Sequence, residues 1–104
     1  MIGKSKEIDI AKNLRVIEWL KADLVDTVGA LFKALLKKGD DVAGDALASI
    51  IIICYLLGRR IGIDFTSTDV QIKSKLNNSI DNATESEQWN TDLLELRNYL
   101  GKKR

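Results

Sequence analysis

The stretch Ile50-Ile-Ile-Ile-Cys-Tyr-Leu-Leu57 is apolar on every side, and it constrains the fold more than any other part of the chain. Its β-branched residues would suit a strand. The surroundings favour a helix. Helix-forming Ala46, Leu47 and Ala48 precede it, and Asp40 and Asp41 offer N-cap side chains. Arg59 and Arg60 suit the negative end of a helix dipole, and Gly62 suits the left-handed position just beyond it. A helix apolar all round is expected to be buried all round. The charge-free run Ala46–Leu57 is short of the ~18–20 residues that span a bilayer, so the expectation is a core helix with no membrane role. A chain of 104 residues has little interior. A second copy of the chain, in a homodimer or homotetramer, is therefore the expected source of the remaining cover.

Composition narrows the chemistry. The chain contains no histidine, which removes imidazole acid–base catalysis, His-based triads and the usual zinc hydrolase sites. Any catalysis would fall to carboxylates and a hard metal. A net charge of +1 gives no electrostatic case for nucleic acid or for a membrane surface. Proline is absent, which favours long helices. The single cysteine, Cys54, lies between Ile53 and Tyr55 and reads as a small core hydrophobe rather than a reactive thiol. A lone cysteine suits a reducing cytoplasm, and the N-terminus shows no apolar signal segment.

The remaining periodicity is helical throughout, so the fold class is all-α, one domain over 1–104. Residues 1 to about 12 are mixed and polar and read as a lead-in, in which Ile8 and Ile10 around Asp9 suit a short extended piece or a helix start. From about Leu14 to Lys38, Ile17, Leu20, Leu24, Val28, Leu31 and Leu35 recur at helical steps, with Val16, Val25, Phe32 and Leu36 widening the stripe. Pattern alone leaves one helix or two, broken near Lys21–Asp23, and it makes Trp19 half-buried. Lys38-Gly39-Asp40 reads as a tight turn, giving an antiparallel core hairpin over about 14–62. Thr66 with Asp69 resembles a capping pair before a helix from about Ser67 to Ile80, carrying Val70, Ile72, Leu76 and Ile80. Residues 81–87 read as a connection. A last helix, about Ser86 to Leu100, carries Trp89, Leu93, Leu96 and Leu100; the C-terminal helices thus cover about 67–100.

The hairpin carries a resemblance. Asp26-Thr-Val-Gly-Ala-Leu-Phe-Lys-Ala-Leu-Leu-Lys-Lys-Gly-Asp40 is similar to the first core helix of the MazG-type nucleoside triphosphate pyrophosphohydrolases, and Val42–Phe65, ending Leu-Gly-Arg-Arg-Ile-Gly-Ile-Asp-Phe, resembles the second and its exit. The similarity runs over roughly residues 23 to 66. It implies a MazG-like helical bundle completed by oligomerisation. It also implies a Mg²⁺ site built from a Glu-x-x-Glu pair on one helix and a Glu-x-x-Asp pair on the next. Carried over position by position, those four carboxylates fall on Thr27, Ala30, Ala46 and Ser49. In an antiparallel hairpin centred on Lys38, Thr27 is level with Ser49 and Ala30 with Ala46, so the register is self-consistent while none of the four is acidic. The resemblance also implies nucleotide contacts from a Lys and an Asn on the following helix, of which Lys75 and Asn78 are the nearest equivalents.

The expectation is therefore a catalytically degenerate, MazG-like regulatory or interaction protein with no cofactor. The alternative is a weak Mg²⁺-dependent pyrophosphohydrolase built on Asp23, Asp26, Asp41 and Asp45. By the same register Asp26 is level with Ile50 and Asp45 with Leu31, which separates them by ~7 Å along the axis. Solvent-facing helix-start charges are the plainer reading of these four.

Overall fold

The computed structural model describes residues 2–37, 40–81 and 87–103, with side chains described over 8–37, 40–80 and 88–102. The chain is all-α. Four helices follow in order: α1 (Ile2–Leu36), α2 (Asp40–Arg60), α3 (Phe65–Asp81) and α4 (Glu87–Lys103). They divide into two compact units, Met1–Phe65 and Thr66–Arg104.

In the first unit α1 packs along α2 as an antiparallel hairpin. The expected lead-in does not exist as a separate segment. From Ile2 onward the backbone is already helical and continues without interruption through Lys21–Asp23. With no proline and no glycine between residues 4 and 28, nothing in that stretch breaks the hydrogen-bond ladder. Lys37 ends the helix in a turn, its amide donating to the carbonyls of Lys33 and Ala34 at 3.3 and 3.2 Å. The expected turn residues Lys38 and Gly39 lie outside the described residues. Asp40 and Asp41, expected as N-caps, stand instead inside the first turn of α2, where they complement the helix dipole.

Leu20 and Ala34 of α1 are buried, as are Ala43, Ala46 and Ile53 of α2. Near the turn the buried side chains are all alanines, which suits helices joined by a short connection. Farther from it Leu20 and Ile53 fill the wider space. The α1 stripe is narrower than its periodicity suggests. Val25, Phe32, Leu35 and Leu36 are exposed, and Trp19 is 66% exposed rather than half-buried.

A single copy of the chain leaves α2 incompletely covered, as expected of a domain with so little interior. Ile53 is 5% exposed, but Ile51 and Ile52 beside it are 56% and 57% exposed. One helix neighbour covers one face and no more. Cys54 is exposed too. At ~100° per residue the step from Ile53 carries it off the covered face, which overturns its reading as a core residue. Its 21 residues make α2 long and apolar enough, by length and composition, to cross a bilayer, with 11% of its most apolar stretch buried in the chain.

The α2 C-terminus is closed by glycine. Gly62 adopts φ of 95°. The Ile63 amide donates to the Gly58 carbonyl at 2.8 Å, and the Gly62 amide to the Arg59 carbonyl at 3.2 Å. This nested pair is the Schellman closure, in which a left-handed residue lets two amides cap carbonyls of the last turn. At the same end Asn13 ties α1 to α2: its Nδ2 donates to the Arg60 carbonyl at 3.1 Å, and Arg60 Nη1 donates to Asn13 Oδ1 at 3.3 Å. Arg59 lies 5.3 Å from the Phe65 ring centroid, and Tyr55 meets the same ring edge-on at 6.0 Å.

Helix α3, most of which belongs to the second unit, begins at Phe65, two residues before the expected start, which places Thr66 within its first turn. Asp64, a favoured N-cap residue type, stands directly before it. Leu76 is the buried side chain, and Arg97 Nη1 of α4 donates to Asn77 Oδ1 of α3 at 3.1 Å. On α4 the half-buried positions are Asn90, Leu93, Leu94, Arg97 and Leu100, whereas Trp89 and Leu96 are exposed. The covered stripe is rotated by one residue from the expected one, because α4 places Leu94 and Arg97 inward where the pattern chose Leu96. The connection at residues 82–86 lies outside the described residues.

Candidate functional site

The site implied by the sequence is the wall between α1 and α2. The hairpin geometry agrees with the register that sets the four positions level across the two helices. Helix α1 ends at Leu36 and α2 starts at Asp40, so the fold-back centres on residue 38. Asn13 meeting Arg60 provides a second check at the far end. Their numbers give a midpoint of 36.5, within one helical turn of that centre.

The four positions differ in environment. Ala46 is 5% exposed and belongs to the hairpin core. Thr27 and Ser49 are half-buried, and Ala30 is exposed. The Thr27 hydroxyl donates to the Asp23 carbonyl at 2.7 Å, a bond to its own helix, one turn back. What remains at these positions is two neutral hydroxyl oxygens and two methyl groups. Mg²⁺ requires several hard, preferably anionic oxygens in near-octahedral array, and this set does not fit it.

The alternative carboxylates are not brought together either. Asp23 is half-buried on α1; Asp26, Asp41 and Asp45 are exposed. Among the described residues no group of three or more His, Cys, Asp or Glu side chains is placed to hold a metal ion. Lys75 and Asn78 lie exposed on α3 in the second unit.

Pattern reading missed a polar cluster at the open end of the hairpin. Asn13, Leu56, Arg59 and Arg60 line a shallow depression there. A second depression lies along α1 between Lys12, Arg15, Val16 and Trp19. The i, i+3, i+4, i+7 spacing of those four residues was the signal available in the sequence.

No curated protein and no solved structure matches the chain. The family model for the MazG-like family matches residues 10–93, extending the hairpin resemblance through α3 and into α4. Matched over most of its length and folded as an all-α chain around an antiparallel hairpin, the protein belongs to the MazG-like family.

Proposed function

We propose that this protein keeps the nucleoside triphosphate pyrophosphohydrolase-like fold of its family without the metal chemistry, and acts as a homo-oligomeric interaction or regulatory protein of the cytoplasm. One observation carries the reading. The four positions at which the family places its metal carboxylates hold Thr27, Ala30, Ala46 and Ser49, and Ala46 is packed into the hairpin core. Without carboxylates there is nothing to hold a cation against a triphosphate, and the unshielded phosphates would meet an uncharged wall. The exposed apolar residues of α2, including Leu47, Ile51, Ile52 and Leu56, favour assembly with another protein surface, and a second copy of the chain is the simplest one. A near-neutral net charge gives nucleic acid no general attraction.

The test is a pyrophosphate-release assay with Mg²⁺ or Mn²⁺ and each common nucleoside triphosphate. The expected result is release at background. Release above background that disappears in Asp23→Asn and Asp26→Asn would replace this reading with the alternative enzyme.

A further inference from the structure

The exposed side of α2 carries a stripe complementary to itself. Asp41, Asp45, Ala48, Ile52, Leu56 and Arg59 succeed one another at steps of three and four residues, and all six are exposed. On a helix turning ~100° per residue they fall within an arc of about 80°. The arc's centre stands roughly 130° from the face that buries Ala43, Ala46 and Ile53 against α1. The covering of one face therefore leaves the other free.

Laid antiparallel on a copy of itself, with the two-fold axis at Ile52, this stripe pairs in register. Asp45 meets Arg59, Ala48 meets Leu56, and Ile52 meets Ile52, each pair having residue numbers that add to 104. A large side chain faces a small one on either side of the centre, which permits close helix packing. Opposite charges meet at both ends, twice by symmetry, as an isologous contact requires. Arg59 is already held over the Phe65 ring, so it has less side-chain freedom to lose on pairing. We propose that α2 forms an antiparallel two-fold contact with α2 of a second copy, centred on Ile52 and closed by Asp45–Arg59 pairs. This deepens the homo-oligomer reading above and rests on it.

The same charges argue against a bilayer as the occupant. Asp45 and Arg59 are about 21 Å apart along the axis at 1.5 Å per residue. A hydrocarbon layer ~30 Å thick would enclose both of them. A second copy satisfies each with its opposite.

The test uses the full-length chain. In a Cys54→Ser background, Ile52→Cys should form a disulfide-linked dimer under mild oxidation, because two-fold-related residues at a close crossing lie within bridging distance. Ile51→Cys, turned ~100° away, should remain unlinked. Asp45→Arg alone and Arg59→Asp alone should each weaken dimerisation at least tenfold by sedimentation, and the double variant should restore it. Circular dichroism establishes that each variant is folded. A native dimer in which Ile51→Cys links and Ile52→Cys does not, or in which charge reversal has no effect, overturns this interface and leaves the homo-oligomer reading standing. A monomer at micromolar concentration overturns both, and flotation of that monomer with phospholipid vesicles would assign the stripe to a lipid surface.

Discussion

Replacing Ile53 with alanine should cost the fold about 2–5 kcal/mol, the usual penalty for emptying a buried aliphatic site, because this side chain is 5% exposed against α1. Ile51→Ala, two residues earlier on the same helix and 56% exposed, should change the unfolding free energy by no more than about 0.5 kcal/mol. Urea denaturation of the two variants, under conditions that keep the chain monomeric, measures the difference. Cys54 belongs to the exposed set and lies about 160° around α2 from Ile52, away from the proposed two-fold contact. A thiol reagent should therefore label it in the native protein; labelling that waits for denaturant would put Cys54 in a covered surface. Four consecutive isoleucines carry no periodicity of their own. Their composition shows that the segment is apolar and the flanking residues that it is helical, but only the position of α1 decides that Ile53 turns inward while Cys54 turns out.

At the scale of elements, the C-terminal end of α2 was the most legible part of the chain, since it depends on local chemistry. Gly62 was readable as a left-handed cap, and its φ of 95° with two nested amide bonds bears this out. An added Cβ there meets nothing within 4 Å, so Gly62→Ala should cost about 1–2 kcal/mol through backbone strain alone. Gly29 lies within α1 with equally open surroundings. Gly29→Ala should instead stabilise the protein by about 0.4–1 kcal/mol, since it restricts the unfolded chain without straining the folded one. Thermal or urea unfolding of the pair distinguishes strain from crowding, because crowding would destabilise both. The long reach of α1 was less legible. Its first dozen residues lack an apolar stripe, and pattern reading had nothing to follow, although no residue there obstructs a helix. The choice of Leu96 over Leu94 and Arg97 on α4 failed for a related reason: adjacent leucines leave the phase open, and the half-buried Arg97 gains an amide partner in Asn77 that no hydropathy pattern anticipates.

For the whole molecule, the hairpin register followed from the turn and agreed with the four positions that the family resemblance supplied; their chemistry was then plain from the residue types. Burial was not. Ala30 and Ala46 are the same residue at the same expected height, yet one is exposed and the other lies in the core, because helix phase across a packed pair depends on side chains from both helices. Restoring the family carboxylates should expose this asymmetry. A Thr27→Glu, Ala30→Glu, Ala46→Glu, Ser49→Asp variant buries an unpaired charge at position 46 and should melt well below the parent. Added Mg²⁺ or Mn²⁺ should raise its melting temperature and leave that of the parent unchanged. The central claim, that the native hairpin does not hold a metal–triphosphate, is tested most directly by calorimetric titration of the unmodified protein with nucleoside triphosphates in the presence of Mg²⁺. The account predicts heats of dilution alone across the common bases. Saturable Mg²⁺-dependent binding that is lost in Asp26→Asn would contradict it.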